Sequence, residues 1–421
     1  MTVIGIDDTD SRELGMCTTY VAARLADAVR AAGGAVARVL LVRLNPAVEH
    51  KTRGNAALAV HCDLDPATAL DCAEGLLDLA ATDDERTNPG VVVADHEPTT
   101  VPDAVAAFAA DAVRDHHTID AATGLIEEAG FLSAHRGIGR GRIGALAAVG
   151  AWAAFSEWTY ECISYRERER WGTERTVDTE SVFAAADSGY PAVWDTVDRE
   201  EDVAVCVPRT PCPILHGIRG DDPEAVRDVA TAIDGEPVAR RQLFVTNQGT
   251  DAHLRDGTVG ELRDGRAYRV DGTVADAPET REGGHVFFTL EDGDETILAA
   301  AFEPTKRFRD RVRALRPGDR ITACGEVARG TLKLEKFAVR ELVETELVTP
   351  DCPSCGRSMS SAGRDAGYRC RDCATAADGR VERPLDRDLE TGWYEVPPCA
   401  RRHVAKPLVR GGFDAPTHPE R

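Results

Sequence analysis

Short apolar runs alternate with helical spacing through the first part of the chain. Val3 to Ile6 is an apolar strand. Residues 18–31 place apolar side chains at Val21, Leu25, Ala28 and Val29, a helical period, and Gly33-Gly34 stops the helix. Residues 37–44 and 56–61 read as strands. Residues 66–80 and 101–114 read as helices, with a strand at 91–94 between them. The pattern predicts an α/β layer forming a first domain over 1–116.

From 117 to 255 the pattern changes. A turn rich in glycine and arginine, HRGIGRGRIG (135–144), opens a helix at 142–154. Strand-like runs follow at 159–165, 203–207, 214–218 and 241–246, with helices at 178–187 and 223–233. Two helices over an antiparallel sheet predict a ferredoxin-like domain, which shares a cleft with the first. Residues 265–344 hold five strand candidates, at 268–274, 285–290, 296–301, 320–327 and 331–339. A polar helix at 304–315 precedes the fourth, the pattern of an OB-fold barrel. Residues 350–376 form a cysteine cluster, and 377–421 are a polar, poorly periodic tail. The fold class is therefore α+β and multidomain.

Charge changes the picture. The chain of 421 residues carries 50 Lys plus Arg against 72 Asp plus Glu, a net charge of −22. Only Lys51, Lys306, Lys333, Lys336 and Lys406 are lysines. An acidic, Arg-rich, lysine-poor surface suits molar salt, where Coulomb repulsion is screened within about 3 Å. Acidity of that kind is a background, so local stretches without carboxylates carry the information on nucleic-acid binding. No apolar run approaches a membrane span. The N-terminus has no basic leader region, so a cytoplasmic protein without a membrane partner is expected.

Of 12 cysteines, four form Cys352-x2-Cys355 and Cys370-x2-Cys373. Four soft ligands on two knuckles predict a closed, structural tetrahedral Zn²⁺ site. Its flanking arginines, Arg357, Arg364, Arg369 and Arg371, suit RNA or merely a solvated surface. The OB-like segment brings Phe287, Phe288 and Phe302, with Arg307, Arg309 and Arg311 on a helix. Such barrels bind single strands in many proteins, and others are structural.

The first strand ends in Asp7-Asp8-Thr9-Asp10. Carboxylates at a buried strand end can hold Mg²⁺; the plain alternative is an Asp-rich turn. Gly15 to Thr19 then leads into a helix whose N-terminus suits phosphate. Lys51 and Arg53, between two strands, could clamp a polyphosphate or an RNA backbone. Across 135–144 there are four glycines, three arginines and no acid. Arg136, Gly137, Gly139, Arg140, Gly141 and Arg142 make a candidate phosphate loop that lacks the terminal Gly-Lys-Ser/Thr of a Walker A motif. Residues 207–220, with Arg209, and 400–410, with Arg401, Arg402, His403, Lys406 and Arg410, are also free of carboxylates. The second reads as a tail that touches phosphates, or as an arm packed on an acidic surface.

These pieces, in this order, resemble one family: the archaeal isoleucine tRNA 2-agmatinylcytidine synthetases. The segments that carry the resemblance are GIDDTDS (5–11), GMCTTY (15–20), RLNP (43–46), KTRGN (51–55), HRGIGRGRIGA (135–145), TYECISYR (159–166), TPCPILHGIRG (210–220) and TNQGTD (246–251), with the cysteine quartet and ARRHVAKPLVR (400–410). Arg12-Glu13-Leu14 before Gly15 departs from the family pattern at a loop tip.

The resemblance implies a kinase-like catalytic domain, a ferredoxin-like domain, an OB-fold and a zinc ribbon. It implies ATP, Mg²⁺ and Zn²⁺ as cofactors, agmatine and CAU-anticodon isoleucine tRNA as substrates, and no obligate protein partner. The implied reaction joins agmatine to carbon 2 of the wobble cytidine through a phosphorylated cytidine, so that the tRNA reads AUA. Asp7, Asp8 and Asp10 would work on the triphosphate, Asp7 and Asp8 through Mg²⁺. Thr18 aligns with the family's autophosphorylated threonine. Lys51, Arg53 and the 136–142 loop would hold phosphates. Arg209, Arg401, Arg402, Lys406 and Arg410 would hold tRNA. The agmatine pocket is not assigned. The competing reading is a non-catalytic single-strand-binding protein built on the barrel and ribbon.

Overall fold

The structure is a computed structural model and describes residues 1–51, 54–364, 366–402 and 404–421. The predicted first two domains share a single nine-stranded sheet. The first half contains β1 (Thr2–Asp7), α1 (Thr18–Ala31), β2 (Val36–Arg43), β3 (Ala56–Cys62), α2 (Pro66–Glu74), β4 (Gly90–Asp95), α3 (Asp103–Ala112), α4 (Ile119–Glu128), β5 (Leu132–His135) and α5 (Arg142–Ala154). The second contains β6 (Thr159–Arg166), α6 (Thr179–Gly189), β7 (Val193–Trp194), a small hairpin of β8 (Val197–Asp198) and β9 (Val203–Ala204), β10 (Ile214–Gly220), α7 (Pro223–Ala232) and β11 (Val238–Thr246). The strand order is β5-β4-β1-β3-β2-β11-β6-β10-β7.

The halves join where β11 runs parallel to β2, Val245 beside Leu40. Taken alone, β6, β7, β10 and β11 have the order 4-1-3-2 with α6 and α7 packed on them, the split βαβ of a ferredoxin-like unit. In the first half both sheet faces are covered, so its strands are apolar without strict alternation. Val3, Val92 and Ala59 face α3–α5, while Ile4, Ile6 and Leu58 face α1 and α2.

Several expectations need correction. The helix at 142–154 forms where predicted, yet it packs on the first half of the sheet and not on the ferredoxin-like half. Residues of α4 and α5 thus pack with the first half of the sheet. Helix α4 and strand β5 lie outside the predicted elements. The apparent helix 66–80 ends at Glu74, followed by a 3-10 turn. The strand at 203–207 is only the short β9, outside the main sheet.

After β12 (Leu254–Asp256) comes the barrel: β13 (Arg266–Val274), the short β14 (Glu279–Thr280), β15 (Val286–Asp292), β16 (Glu295–Ala301), α8 (Phe308–Arg313), β17 (Arg320–Ala328) and β18 (Thr331–Glu341). Pairings β13–β15, β15–β16, β16–β18, β18–β17 and β17–β13 close it as an OB-type cylinder. Phe288 lies in its core, and Phe287 lies under the Arg281 guanidinium at 4.3 Å.

The ribbon hangs from a hairpin of β19 (Thr345–Val348) and β23 (Val381–Pro384). Its own small sheet is β20 (Ser360–Ser361), β21 (Tyr368–Arg369) and β22 (Ala376–Ala377). The chain then returns to the barrel. Strand β24 (Gly392–Glu395) pairs with β18, and β25 (Thr417–His418) pairs with β24. Residues from 392 onward are thus an arm built into the barrel sheet. No helix among the described residues is long and apolar enough to cross a membrane.

Candidate active site

A cleft of about 470 Å³ opens between the two halves of the sheet. Its first wall is the end of β1. Alternation along β1 turns Gly5 and Asp7 toward α5, and the approach is close. A Cβ on Gly5 would lie 2.1 Å from the Ala145 carbonyl oxygen, and one on Gly144 would lie 1.9 Å from Asp7 Oδ2. The Asp7 carboxyl thus lies against the first turn of α5, where the helix dipole favours negative charge. Burial nevertheless raises its pKa well above the usual carboxylate value, reinforced by the neighbouring Asp8 charge.

Asp8 takes a left-handed backbone (φ 59°), uncommon for a residue with a side chain. That twist turns its carboxylate to accept the Asn88 backbone N–H at 3.1 Å. Burial raises its pKa to about 6, against the lowering effects of the Asn88 bond and the Arg140 charge. Asp10 lines the same wall. Two half-buried carboxylates with raised pKa values form a site short of positive charge, which suits a divalent cation completed by phosphate oxygens. Thr18, the first residue of α1, is 5% exposed and accepts the Thr9 hydroxyl at 3.1 Å. Cys17, Thr18 and Thr19 bring the N-terminus of α1 to the cleft, and the side chain of Cys17 does not cap the helix.

The candidate phosphate loop contributes less than its composition suggests. Arg140 lines the cleft, followed by Ile143 and Gly144. Arg136 turns away to Glu74 (3.3 Å) and Asp78 (3.5 Å). Arg142 folds back, its Nε donating to the Gly139 carbonyl at 3.2 Å. Gly137 and Gly139 take positive φ, and Gly137 sits over the Asn88 side chain. Gly141 lets α5 approach β1, since its Cβ would lie 2.5 Å from the Asp7 carbonyl. These glycines serve close packing, so Arg136, Gly137, Gly139, Gly141 and Arg142 do not form the cleft wall. Lys51 lines the cleft on the barrel side. Arg53 and His403 lie outside the described residues.

The far wall carries no signal in the local sequence pattern. Glu161 on β6, Arg219 on β10 and Arg43 at the end of β2 meet there. Arg219 Nε lies 3.3 Å from Glu161 Oε1, and Arg43 Nη2 lies 3.5 Å from Oε2. Each stands in a segment quoted for the family resemblance, but nothing along the chain marks the three as neighbours.

The cations of the 400–410 stretch meet carboxylates of the same chain. Arg401 is buried between Asp195 and Glu395. Arg402 bridges Glu326 and Glu335 of the barrel. Arg410 pairs with Asp221 (2.7 Å) and Glu157 (3.1 Å), and Lys406 with Glu157 (3.4 Å). These cations fasten the arm to acidic partners, as the reading of an arm packed on an acidic surface expects. Arg209 does stand exposed, beside the cleft residues Pro208 and Thr210. Cys352, Cys355, Cys370 and Cys373 bring their sulfurs within 4.8 Å of one another, and form the one such group among the described residues.

A protein of Haloquadratum walsbyi described as an isoleucine-tRNA 2-agmatinylcytidine synthetase, TiaS, is 58% identical to this chain, and the match covers 100% of both. The chain belongs to the TiaS family. The Methanosarcina acetivorans TiaS is 45% identical, with 97% of each chain covered. Family models for the TiaS TCKD domain, FLD domain and C-terminal zinc ribbon match residues 3–65, 139–253 and 349–389. Among solved structures, a complex of TiaS with its isoleucine tRNA and ATP superimposes with a TM-score of 0.89 at 42% identity, covering 100% of this chain and 99% of that one. A complex of TiaS with the same tRNA, AMPCPP and agmatine gives 0.87 at 40% identity, with the same coverage. The TiaS zinc-ribbon match contains the four clustered cysteines. The TiaS FLD match contains both Glu161 and Arg219.

Proposed function

We propose that this chain uses ATP to join agmatine to carbon 2 of the wobble cytidine of CAU-anticodon isoleucine tRNA. The observation that carries the reading is the cleft in which Asp7, Asp8, Asp10, Thr18 and Arg140 gather, in a chain that matches TiaS proteins along its whole length. Relatives in that family are solved with their isoleucine tRNA, an ATP analogue and agmatine.

The chemistry supports the assignment. Cytosine O2 is a poor leaving group. Transfer of the γ-phosphoryl group to O2 turns it into a phosphate ester. The agmatine amine then attacks carbon 2, the C2–O2 bond breaks, phosphate departs and the amine gives up a proton. In this reading Asp7 and Asp8 hold Mg²⁺, which screens the triphosphate charge. Arg140 and the N-terminus of α1 bind phosphate oxygens, and Thr18 is the phosphorylated threonine. Lys51 closes the barrel side of the cleft. The wobble base must leave its stack to reach these groups. The barrel, the Zn²⁺-bound ribbon and Arg209 grip the RNA that presents it, in the cytoplasm.

The test is incorporation of labelled agmatine. Protein in high KCl with Mg²⁺ and ATP should label a CAU isoleucine transcript and leave one with wobble uridine unlabelled. Asp8→Ala should lose that activity nearly completely. Full activity in Asp8→Ala would refute the reading and favour a binding protein in which 1–250 only scaffold.

A further inference from the structure

Glu161 holds an unusual position. Its side chain is 4% exposed, and its Oε2, at the cleft, makes no hydrogen bond among the described residues. The place is built for it. A Cβ on Gly217 would sit 2.8 Å from Glu161 Oε1, so glycine leaves the carboxylate room. Arg43 is held from behind: its Nε donates to Gln248 Oε1 at 2.8 Å, and its backbone exchanges bonds with Asn247 at 2.7 and 3.1 Å. Ile163, Ile214 and Pro208 make the surrounding wall apolar.

The cluster holds two guanidinium groups and one carboxylate, so its net charge is positive. It disfavours a further guanidinium such as that of agmatine. It suits a flat neutral ligand that donates at one point and accepts at the next. The Watson–Crick edge of cytosine does so: its N4 amine donates, and N3 and O2 accept. Uracil presents an acceptor at position 4 and a donor at N3, the reverse pattern. Strand order adds an orientation. Arg43 on β2 lies between Asp7 on β1 and Glu161 on β6. A base with N4 at Glu161 therefore turns O2 back toward the aspartates, where the phosphoryl donor would be held.

We infer that Glu161, with Arg43 and Arg219, reads the flipped wobble base as cytosine by accepting a hydrogen bond from its N4 amine. This rests on the function proposed above and assigns a specificity residue within it. The experiment uses the full chain and three transcripts, with cytidine, uridine or 2-pyrimidinone at the wobble position; the last lacks the amine without added bulk. In the wild type, 2-pyrimidinone should lower kcat/KM for labelling by about 10- to 100-fold against cytidine, the range of one good base contact. In Glu161→Met, which keeps the length of the side chain and removes its oxygen acceptors, cytidine should fall to nearly the 2-pyrimidinone level, while the KM for agmatine stays unchanged.

Equal rates on cytidine and 2-pyrimidinone in the wild type would overturn the inference. So would an unchanged ratio in Glu161→Met, or a loss that falls on the agmatine KM. If Glu161→Met does not fold, Glu161→Asp, which draws the carboxylate back from the base by one methylene, gives the same comparison. If the wild type labels no transcript, the proposed reaction fails, and competition between the transcripts for binding still decides the base preference.

Discussion

Substitution of Gly144 by alanine tests the central geometry. Gly144 lies in the first turn of α5, directly over the Asp7 carboxylate. The added Cβ would lie 1.9 Å from Asp7 Oδ2, whereas ordinary contact begins near 3.4 Å. Helix and carboxylate must separate by most of the difference. The new Cβ would also lie 3.0 Å from Asp7 Cβ, so turning the carboxylate alone does not relieve the clash. Overpacking of this kind costs about 1–3 kcal/mol of stability. A displacement of about 1 Å at a reacting group can cost on the order of 100-fold in rate. Gly144→Ala should therefore melt lower and lose at least about 100-fold in kcat/KM for agmatine incorporation. The control is Gly124→Ala in α4, where an added Cβ meets nothing within 4 Å. It should keep full activity and gain about 0.5–1 kcal/mol, since alanine costs less backbone entropy in a helix. Wild-type activity and melting in Gly144→Ala would refute the claim that this close approach sets the Asp7 position.

Other outcomes follow from the same contacts. Burial raises the Asp8 pKa from 3.8 to about 6, so its ionised form is the disfavoured one in the fold. The unfolded chain binds fewer protons between those values, so stability falls by up to about 3 kcal/mol as pH rises through that window. Melting curves at low salt should show that fall in the wild type and a smaller one in Asp8→Asn, and Mg²⁺ should raise the melting temperature more at a pH above about 7 than at one near 5. Arg401→Ala leaves Asp195 and Glu395 buried without their cation and should cost about 3–5 kcal/mol in denaturant unfolding. Arg209→Ala should leave stability unchanged and reduce the salt slope of tRNA binding by about 1. A strong chelator should release one Zn²⁺ per chain and abolish agmatine incorporation while β13–β18 stay folded, read by metal release and near-UV circular dichroism of the barrel aromatics.

Local chemistry made some of the site legible. Asp7, Asp8, Asp10 and Thr18 stand within a dozen positions of one another, and covalent neighbours stay neighbours in the fold. The cysteine quartet is legible for the same reason, since two short knuckles need only one turn each to aim paired thiols. Arg136 and Arg142 misled because composition gives charge but not direction. Both sit in the loop as read, yet one turns to Glu74 and the other folds onto Gly139. The arm misled for a related reason. Freedom from carboxylates across 400–410 says nothing of carboxylates elsewhere, and Asp195, Asp221, Glu326 and Glu335 come to meet it.

By itself the sequence determined the family, most of the elements, the barrel, the metal-binding knuckles and the aspartate turn. Each rests on periodicity, spacing or a collinear set of motifs, all of them properties of neighbours along the chain. Tertiary structure decided that one sheet spans the first two units, because the β2–β11 pairing joins segments some 200 residues apart. It decided that α5 packs on the first half of the sheet, through the approach of Gly144 to Asp7. It also decided the far wall of the cleft, where Arg43, Glu161 and Arg219 arrive on three different strands. Their attraction is Coulombic and short-ranged, so it exists only once the backbone has brought them within a few ångströms. No linear pattern encodes that distance.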